Sequence, residues 1–239
     1  DFYDAGCPTG PAFASLYTGL YPIHHRFYRF LAPNIRQVDD MIFTIPEILR
    51  VMGYTTAGFH NLLNMMDKPK HLVKGYEFYT NIGQYYPYHS FHEILAEQVN
   101  HRLIPWLKTY AHEKFFLFVH YWDPHGPYNQ PKEYWNFFRH KEDLSDLLIR
   151  EAPAGYKYVP GWGTIDEIKI DEKPLYYTQR FSSVRELVDL YDGEIAYMDR
   201  AIGEVLETLE AKDVLDETLI ILTADHGEQL CQHRSYGYG

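Results

Sequence analysis

Segment 223–228, Thr-Ala-Asp-His-Gly-Glu, places two metal-binding side chains directly after the largely apolar run 218–222. A run of this kind bounded by polar residues predicts a buried parallel strand, and open α/β sheets bind their ligands at the carboxyl ends of such strands. Asp225 offers an oxygen ligand and His226 an imidazole nitrogen, which together suit a divalent ion such as Mn²⁺ or Zn²⁺. A polar turn after a strand is the alternative, and this segment alone does not decide between the two.

A candidate nucleophile, Thr9, lies in segment 8–22. Turn residues open this segment, and a short run compatible with a helix follows and stops at Gly19. We expect Thr9 to cap the helix, since Thr is a preferred N-cap residue. Its hydroxyl would then lie among unpaired backbone N–H groups, in a place suited to a phosphate or a sulfate. The alternative is that Thr9 is only a cap.

In this order, the two segments resemble the sulfatase branch of the alkaline phosphatase superfamily. That family's signature is Cys/Ser-x-Pro-Ser-Arg and a Leu-Thr-Gly step, with a later Asp-His-Gly-Glu. Counting back from Thr18 places Thr9 at the nucleophile position and Pro11 at the motif proline. Segment 120–128 is similar to the family's Asp-Pro-His-x-Pro-Tyr loop, and segment 197–206 to the helix before the Asp-His-Gly strand. The resemblance implies an α/β fold, with a mostly parallel central sheet and helices on both faces.

The resemblance also implies the site residues. They are Thr9 and His125 as catalytic residues, Asp225 and His226 as ligands of Mn, Zn or Ca, and His233 and His25 as substrate-binding residues. Thr9 would attack the sulfur or phosphorus of an ester, and His125 would protonate the leaving oxygen or bind a substrate oxygen. His125 could instead bond its own loop, and His25 could serve only in packing. The expected substrate is a small-molecule or glycan ester.

Three departures concern substrate binding. The signature serine and arginine are Ala12 and Phe13, and Tyr238 occupies the position of a lysine that many relatives carry. Losing two cations removes charge-assisted contacts worth about 1.5–3 kcal/mol each. Three downstream arginines could replace them or simply be solvated: Arg26, Arg29 and Arg36. A non-catalytic relative that binds an acidic glycan or a protein therefore stays as an alternative.

Cys7 is a tempting precursor of formylglycine, the modified nucleophile of sulfatases, but it does not fit the spacing. It would lengthen the step to Thr18 by two residues, so formylglycine is not expected and both Cys7 and Cys231 are interpreted as small buried residues. Within the family that the chain resembles, the absence of formylglycine implies phosphate esters, phosphonates or phosphoethanolamine transfer. The overall likeness still places a sulfatase first and a phosphodiesterase second.

Bulk composition fits one α/β core in 239 residues, of which 46% are hydrophobic and 23% charged. A net charge of −11 argues against a nucleic-acid partner, and no apolar run reaches the ~18 residues that span a membrane. We expect residues 1–239 to form a single partial domain with an insertion or lid at about 129–183. By the resemblance, an amino-terminal metal-binding strand and a carboxyl-terminal subdomain are expected to be absent. Compartment and oligomeric state stay open.

Hydrophobic periodicity predicts the supporting elements. Helices are expected at 45–52, at 91–110 with a kink at Pro105, and at 185–209, and strands at 55–59, 115–119 and 218–222. The last helix is expected to bury one apolar stripe: Leu187, Tyr191, Ile195, Met198, Ile202, Val205 and Leu209. Asp199 then lies at the surface or caps the helix.

Overall fold

The structure of the chain is a computed structural model. It describes residues 5–6, 9–28, 38–61, 73–82, 95–126, 128, 130–135, 137–138, 163–164, 184–230 and 235–237. The chain divides into two compact units. The first unit comprises Asp1–Trp122 and Arg200–His226, and the second comprises Asp123–Asp199 and Gly227–Gly239.

The first unit is built on three parallel strands, β1 (Thr55–His60), β2 (Phe78–Asn81) and β3 (Phe115–Val119). Their order in the sheet is β2-β1-β3, and Ala57 of β1 pairs with Phe78 on one side and with Leu117 on the other. Since β1 and β3 cover the ranges 55–59 and 115–119, both strand predictions are confirmed.

One face of this sheet packs against α4 (Ala96–Tyr110) and the end of the long helix α5 (Val184–Ala211). Alternate strand residues such as Phe59 and Leu117 point to this side, as the two-residue repeat of a strand requires. The buried cluster consists of Ala57, Phe59, Ile82, Val99, Leu103, Trp106, Leu107, Ala111 and Leu209. The helix expected at 91–110 is thus present with Pro105 inside it, while residues 91–94 lie outside the described ones.

The opposite face of the sheet is covered by α1 (Thr9–Thr18). Phe13, Ala14 and Tyr17 of this helix form a second buried cluster, against which Phe116 and Phe118 of β3 pack. Helices therefore cover both faces of a parallel sheet, which confirms the expected fold class.

Two helices are followed by a glycine with positive φ. Gly19 follows α1 with φ 69°, and Gly53 follows α3 (Ile45–Val51) with φ 83°, a region that glycine enters without steric cost. The start of α3 is fixed by Glu47, whose Oε2 accepts hydrogen bonds from the backbone N–H and the hydroxyl of Thr44, both at 2.9 Å. A short helix, α2 (Pro22–His25), lies between α1 and α3 in sequence.

In the second unit, the described strands β4 (Gly163–Thr164), β5 (Gln229–Leu230) and β6 (Ser235–Gly237) form an antiparallel sheet in the order β4-β6-β5. The lid or insertion expected at about 129–183 is described only at 130–135, 137–138 and 163–164. Within the part of the chain that is described, no helix combines the length and apolarity that crossing a membrane requires.

The apolar stripe expected along α5 is wrong at Ile195, whereas Tyr191 and Met198 are half-buried and the side chain of Leu187 lies outside the described part of the chain. Ile195 is exposed, and the buried residues of 188–198 are Asp189, Leu190, Gly193, Glu194 and Tyr197. The buried face therefore carries two carboxylates and a glycine, which apolar periodicity does not detect. The expectation holds at Leu209, which lies in the cluster beside α4, and Asp199 is exposed as expected.

The buried strand expected at 218–222 is also wrong. Leu219 is 84% exposed and Leu222 is 76% exposed, and this segment pairs with no strand among the described residues. His226, which follows this segment, nevertheless lies beside Thr9 of the same unit.

Candidate active site

The structure brings the candidate nucleophile next to the candidate metal ligands. Thr9 is the first residue of α1, and its hydroxyl oxygen lies 3.0 Å from Nε2 of His226. The two residues are 217 positions apart in sequence, so only the tertiary fold joins them. Both belong to the first compact unit.

The carboxylate of Asp225 also lies near Nε2 of His226. Its Oδ2 lies 3.5 Å from Nε2 of His226, and its Oδ1 accepts a hydrogen bond from the His226 backbone N–H at 3.0 Å. This local bond fixes the direction of the carboxylate. The side chain of His226 is only 8% exposed and that of Asp225 is 22% exposed, so water screens the group weakly.

This geometry differs from that of a Ser-His-Asp triad, in which the hydroxyl and the carboxylate bond opposite nitrogens of the imidazole. Here the Thr9 hydroxyl and the Asp225 carboxylate both lie beside Nε2 of His226. Donor atoms that cluster around one point are typical of ligands that share a cation.

The donor set fits a divalent ion in chemical type. A carboxylate oxygen, an imidazole nitrogen and a hydroxyl oxygen are ligands that Mn²⁺ and Zn²⁺ accept. The described residues contain no group of three or more His, Cys, Asp or Glu side chains that could hold a metal. Asp225 and His226 could hold part of the coordination shell of such an ion, and the Thr9 hydroxyl lies beside them.

His25 lies in the first unit as a packing residue. Its Nδ1 accepts a hydrogen bond from the Phe27 N–H at 3.1 Å, so the neutral ring carries its proton on Nε2 and donates it to the Ser15 hydroxyl at 3.0 Å. Burial lowers the pKa of His25, and a hydrogen bond to the Pro11 backbone acts in the opposite direction. With both nitrogens engaged, the arrangement favours the packing role that the sequence left open.

His125 belongs to the second unit. Its Nδ1 lies 2.6 Å from the carbonyl oxygen of Gly126, which can only accept, so Nδ1 is the donor. The Asp123–Pro124 peptide bond just before it is cis. The loop contact that the sequence offered as an alternative is thus present at Nδ1.

Phe13, at the position of the signature arginine, lies in the core. It is 1% exposed, and its ring contacts those of Tyr17, Phe118 and His120, with centroids 5.1–6.3 Å apart. It offers no polar contact to an anion. Six further residues named from the sequence lie outside the described ones: Cys7, Arg29, Arg36, Cys231, His233 and Tyr238.

Sequence reasoning missed the buried polar residues at the carboxyl ends of the parallel strands. β1 ends in His60 and is followed by Asn61, and β2 ends in Asn81; all three are buried. A polar residue that closes an apolar strand is the signal that would have found them, because ligands bind at this edge of an open α/β sheet.

Comparison with known proteins gives a consistent family. The family model described as Sulfatase matches residues 1–239. A sulfatase from Formosa agariphila is 25% identical over 96% of this chain and 52% of its own length. The multifunctional alkaline phosphatase superfamily protein PehA from Trinickia caryophylli is 25% identical over 96% of this chain and 55% of its own length.

Among solved structures, the phosphonate monoester hydrolase SpPMH from Silicibacter pomeroyi superposes with a TM-score of 0.70 at 21% identity. The match covers 98% of this chain and 56% of that one, and it supports the fold. The chain spans about half the length of the curated relatives it matches.

Proposed function

Because this chain belongs to the sulfatase family, we propose that it is a metal-dependent hydrolase of sulfate esters in which Thr9 is the nucleophile. The observation that carries this proposal is the convergence of the Thr9 hydroxyl and the Asp225 carboxylate on Nε2 of His226, within 3.0 and 3.5 Å. Three polar groups from two distant segments meet at one point, beside the start of a ten-residue helix.

Thr9 is placed to attack an anionic group. The first N–H groups of an α-helix have no partner within the helix, which favours a sulfate or phosphate at this end of α1. A Thr hydroxyl needs help to lose its proton at neutral pH. Asp225 and His226 would hold a divalent ion such as Mn²⁺ or Zn²⁺, which would supply Lewis-acid polarisation of the ester and help the Thr9 hydroxyl to lose its proton.

The proposed reaction has two steps. The Thr9 oxygen forms a bond to sulfur as the bond from sulfur to the alcohol oxygen breaks, the Thr9 proton passes to solvent, and the leaving oxygen takes up a proton. Water then attacks the same sulfur atom, which releases sulfate and restores the Thr9 hydroxyl. We assign protonation of the leaving oxygen to His125 on the strength of its motif, with Nδ1 held by Gly126 and Nε2 as the acidic position.

Phosphate or phosphonate esters are the second candidate substrates. Thr9 is neither of the residues that sulfatases convert to formylglycine, and the similar proteins include a phosphonate monoester hydrolase and a multifunctional member of the superfamily. Both ester classes present a tetrahedral anion to the same Thr9 hydroxyl. A non-catalytic glycan- or protein-binding role is the third candidate, and the burial of Phe13 favours it because no cation occupies that position.

The test combines metal analysis with kinetics on the purified protein. Elemental mass spectrometry is expected to find Mn, Zn or Ca near one equivalent, and Asp225→Ala is expected to lose it, whereas Asp216→Ala, which changes an exposed aspartate of the same unit, retains it. Release of para-nitrophenol is measured from para-nitrophenyl sulfate, para-nitrophenyl phenylphosphonate and bis(para-nitrophenyl) phosphate.

Thr9→Ala is expected to lower kcat at least about a thousandfold on the preferred ester, while Thr9→Ser retains part of the rate because the hydroxyl is kept. Full activity in Thr9→Ala would overturn the role of Thr9. A wild-type protein that binds no metal after reconstitution and hydrolyses none of the three esters would favour the non-catalytic role. Preference for the phosphonate over the sulfate would replace the first substrate class by the second.

A further inference from the structure

We propose that Glu194 is a positioning residue, which holds the His125 loop (described at residues 123–126, 128 and 130–135) against helix α5. This inference rests on the proposed function, because His125 takes part in the reaction only if the protein is a hydrolase. All the contacts that support it lie within the second compact unit. No motif in the sequence assigns Glu194 a role.

Glu194 is a buried carboxylate with a backbone partner. The residue is 1% exposed, and its Oε1 accepts a hydrogen bond from the backbone N–H of Gln130 at 3.1 Å. Burying a carboxylate is costly unless hydrogen bonds replace its water. A side chain that serves only to fill space at this point would be apolar, so the acceptor for the Gln130 N–H gives the carboxylate its purpose.

A second hydrogen bond joins Gln130 to helix α5. The side-chain Nε2 of Gln130 donates to the carbonyl oxygen of Leu190 at 2.7 Å, one helical turn before Glu194. Gln130 is itself buried, and its carbonyl oxygen accepts from the Trp135 indole at 3.0 Å. Gln130 therefore bonds α5 through both its backbone and its side chain.

The close approach of loop and helix depends on Gly193. A Cβ atom at this position would overlap the carbonyl oxygen of Tyr134 and lie 2.8 Å from Nε2 of Gln130, an approach that real Cβ atoms essentially never show. Tyr134 also packs edge-on against Tyr197 of α5, with ring centroids 5.4 Å apart. The loop is thus seated directly on the helix backbone beside Glu194.

The contacts continue to the neighbourhood of His125. Tyr128 is buried, its ring meets that of Tyr191 on α5 at 6.1 Å, and its hydroxyl donates to Glu228 at 3.3 Å. The His125 ring bonds the Gly126 carbonyl. Residues 126, 128 and 130 are therefore each engaged, and the Glu194 contact holds Gln130, which lies five positions after His125. Losing that contact frees the segment that sets the direction of the His125 ring.

The variants separate this role from simple stability. Glu194→Ala removes the acceptor, while Glu194→Gln keeps a carbonyl oxygen for the Gln130 N–H. Glu210→Ala changes an exposed carboxylate of the same helix and is the matched control. Each is made in the wild-type and the His125→Ala background, and kcat and KM are measured on the ester that the wild type prefers. Hydrogen exchange at the Gln130 amide, followed by NMR or mass spectrometry, gives a readout that needs no activity.

Glu194→Ala is expected to lower kcat about 10- to 100-fold, because small displacements of a catalytic group cost rates of this order, and to leave KM within about twofold. In the His125→Ala background the same change is expected to cost less than about twofold, since the two residues act through one group. Glu194→Gln restores most of kcat, and Glu210→Ala leaves it unchanged. The Gln130 amide of Glu194→Ala exchanges at least about tenfold faster.

Three results would overturn the proposal: unchanged exchange at Gln130, faster exchange with unchanged kcat, or equal losses of kcat in the presence and absence of His125. A wild-type protein that hydrolyses no ester would instead overturn the hydrolase proposal. In that case the exchange result alone decides whether Glu194 holds the loop.

Discussion

Burial of His60 predicts a specific loss of stability in acid. His60 ends the central strand β1, is completely buried, and has ring contacts to Tyr79, Phe118 and His120 at 5.3–6.2 Å. No hydrogen-bond partner of either ring nitrogen is present in the part of the chain that is described. Burial lowers the pKa of His60 from 6.5 to about 3, so the folded protein keeps this ring neutral at any physiological pH.

The magnitude follows from proton linkage. Because the unfolded chain binds a proton near pH 6.5 and the folded chain does not until about pH 3, acidification favours unfolding throughout this window. Above pH 6.5 neither state is protonated, and the effect vanishes. One pKa unit corresponds to about 1.36 kcal/mol, so at pH 5, about 1.5 units below the unfolded value, His60 costs about 2 kcal/mol of the free energy of unfolding. That is a large part of a typical total of about 5–15 kcal/mol.

The assay is urea unfolding of the wild type and of His60→Phe at pH 7.5 and pH 5. Phenylalanine fills the aromatic surroundings without a titrating group, so the difference in free energy between the two proteins is expected to shift by about 2 kcal/mol in favour of the variant at pH 5. His60→Leu is a second variant in case the larger ring strains the core. His112→Gln, which alters an exposed histidine of the same unit, is the control and shifts by less than about 0.5 kcal/mol.

Equal differences at both pH values would refute this reasoning, because they would mean that His60 takes up its proton as readily in the folded state as in the unfolded one. A shift of the opposite sign would mean that the folded state stabilises the imidazolium ion, and would require an acidic partner for His60.

Two further predictions concern packing. Gly193→Ala is expected to destabilise the protein by about 3 kcal/mol or more, since its Cβ would clash with the Tyr134 carbonyl. Gly203→Ala on the same helix meets nothing within 4 Å and is expected to raise the free energy of unfolding by about 0.5–1 kcal/mol. Thermal unfolding of both variants tests this pair. Tyr76→Phe removes the buried hydroxyl that donates to Tyr17 at 2.8 Å and is expected to cost about 1–3 kcal/mol. The double variant with Tyr17→Phe is expected to cost less than the sum of the single changes, and additive losses in urea unfolding would exclude a direct bond.

The fold was predictable because its elements follow local rules. Strand β3 has an unbroken apolar sequence, and α3 is bounded by a Thr with a Glu three positions later and by a glycine with positive φ. Such patterns act over a few residues, so they can be recognised in one sequence. The first half of α5 was predicted as a helix, yet its buried face was wrong because Glu194 and Gly193 replace apolar residues where the His125 loop approaches.

The meeting of Thr9 and His226 could not be derived from local patterns. The residues are separated by 217 positions, and no periodicity carries information over that distance. Only the resemblance to a family placed them in one site. The hydrogen bond that fixes the tautomer of His25 could not be predicted from the sequence either. It requires the backbone N–H of Phe27 to face Nδ1 of His25 just after the end of α2.

The replacement of the signature arginine by Phe13 changes how an anion can be held. Thr9 and Phe13 are one helical turn apart on α1. The Phe13 ring lies in the buried cluster between α1 and the sheet, whereas the Thr9 hydroxyl lies beside His226. A cation in the place of the Phe13 ring would be buried among aromatic rings, at a desolvation cost. In the proposed hydrolase, the anion is therefore held by the N–H groups at the start of α1 and by the charge bound at Asp225 and His226. Substrate affinity should then depend on the metal site far more than on any single basic side chain of α1.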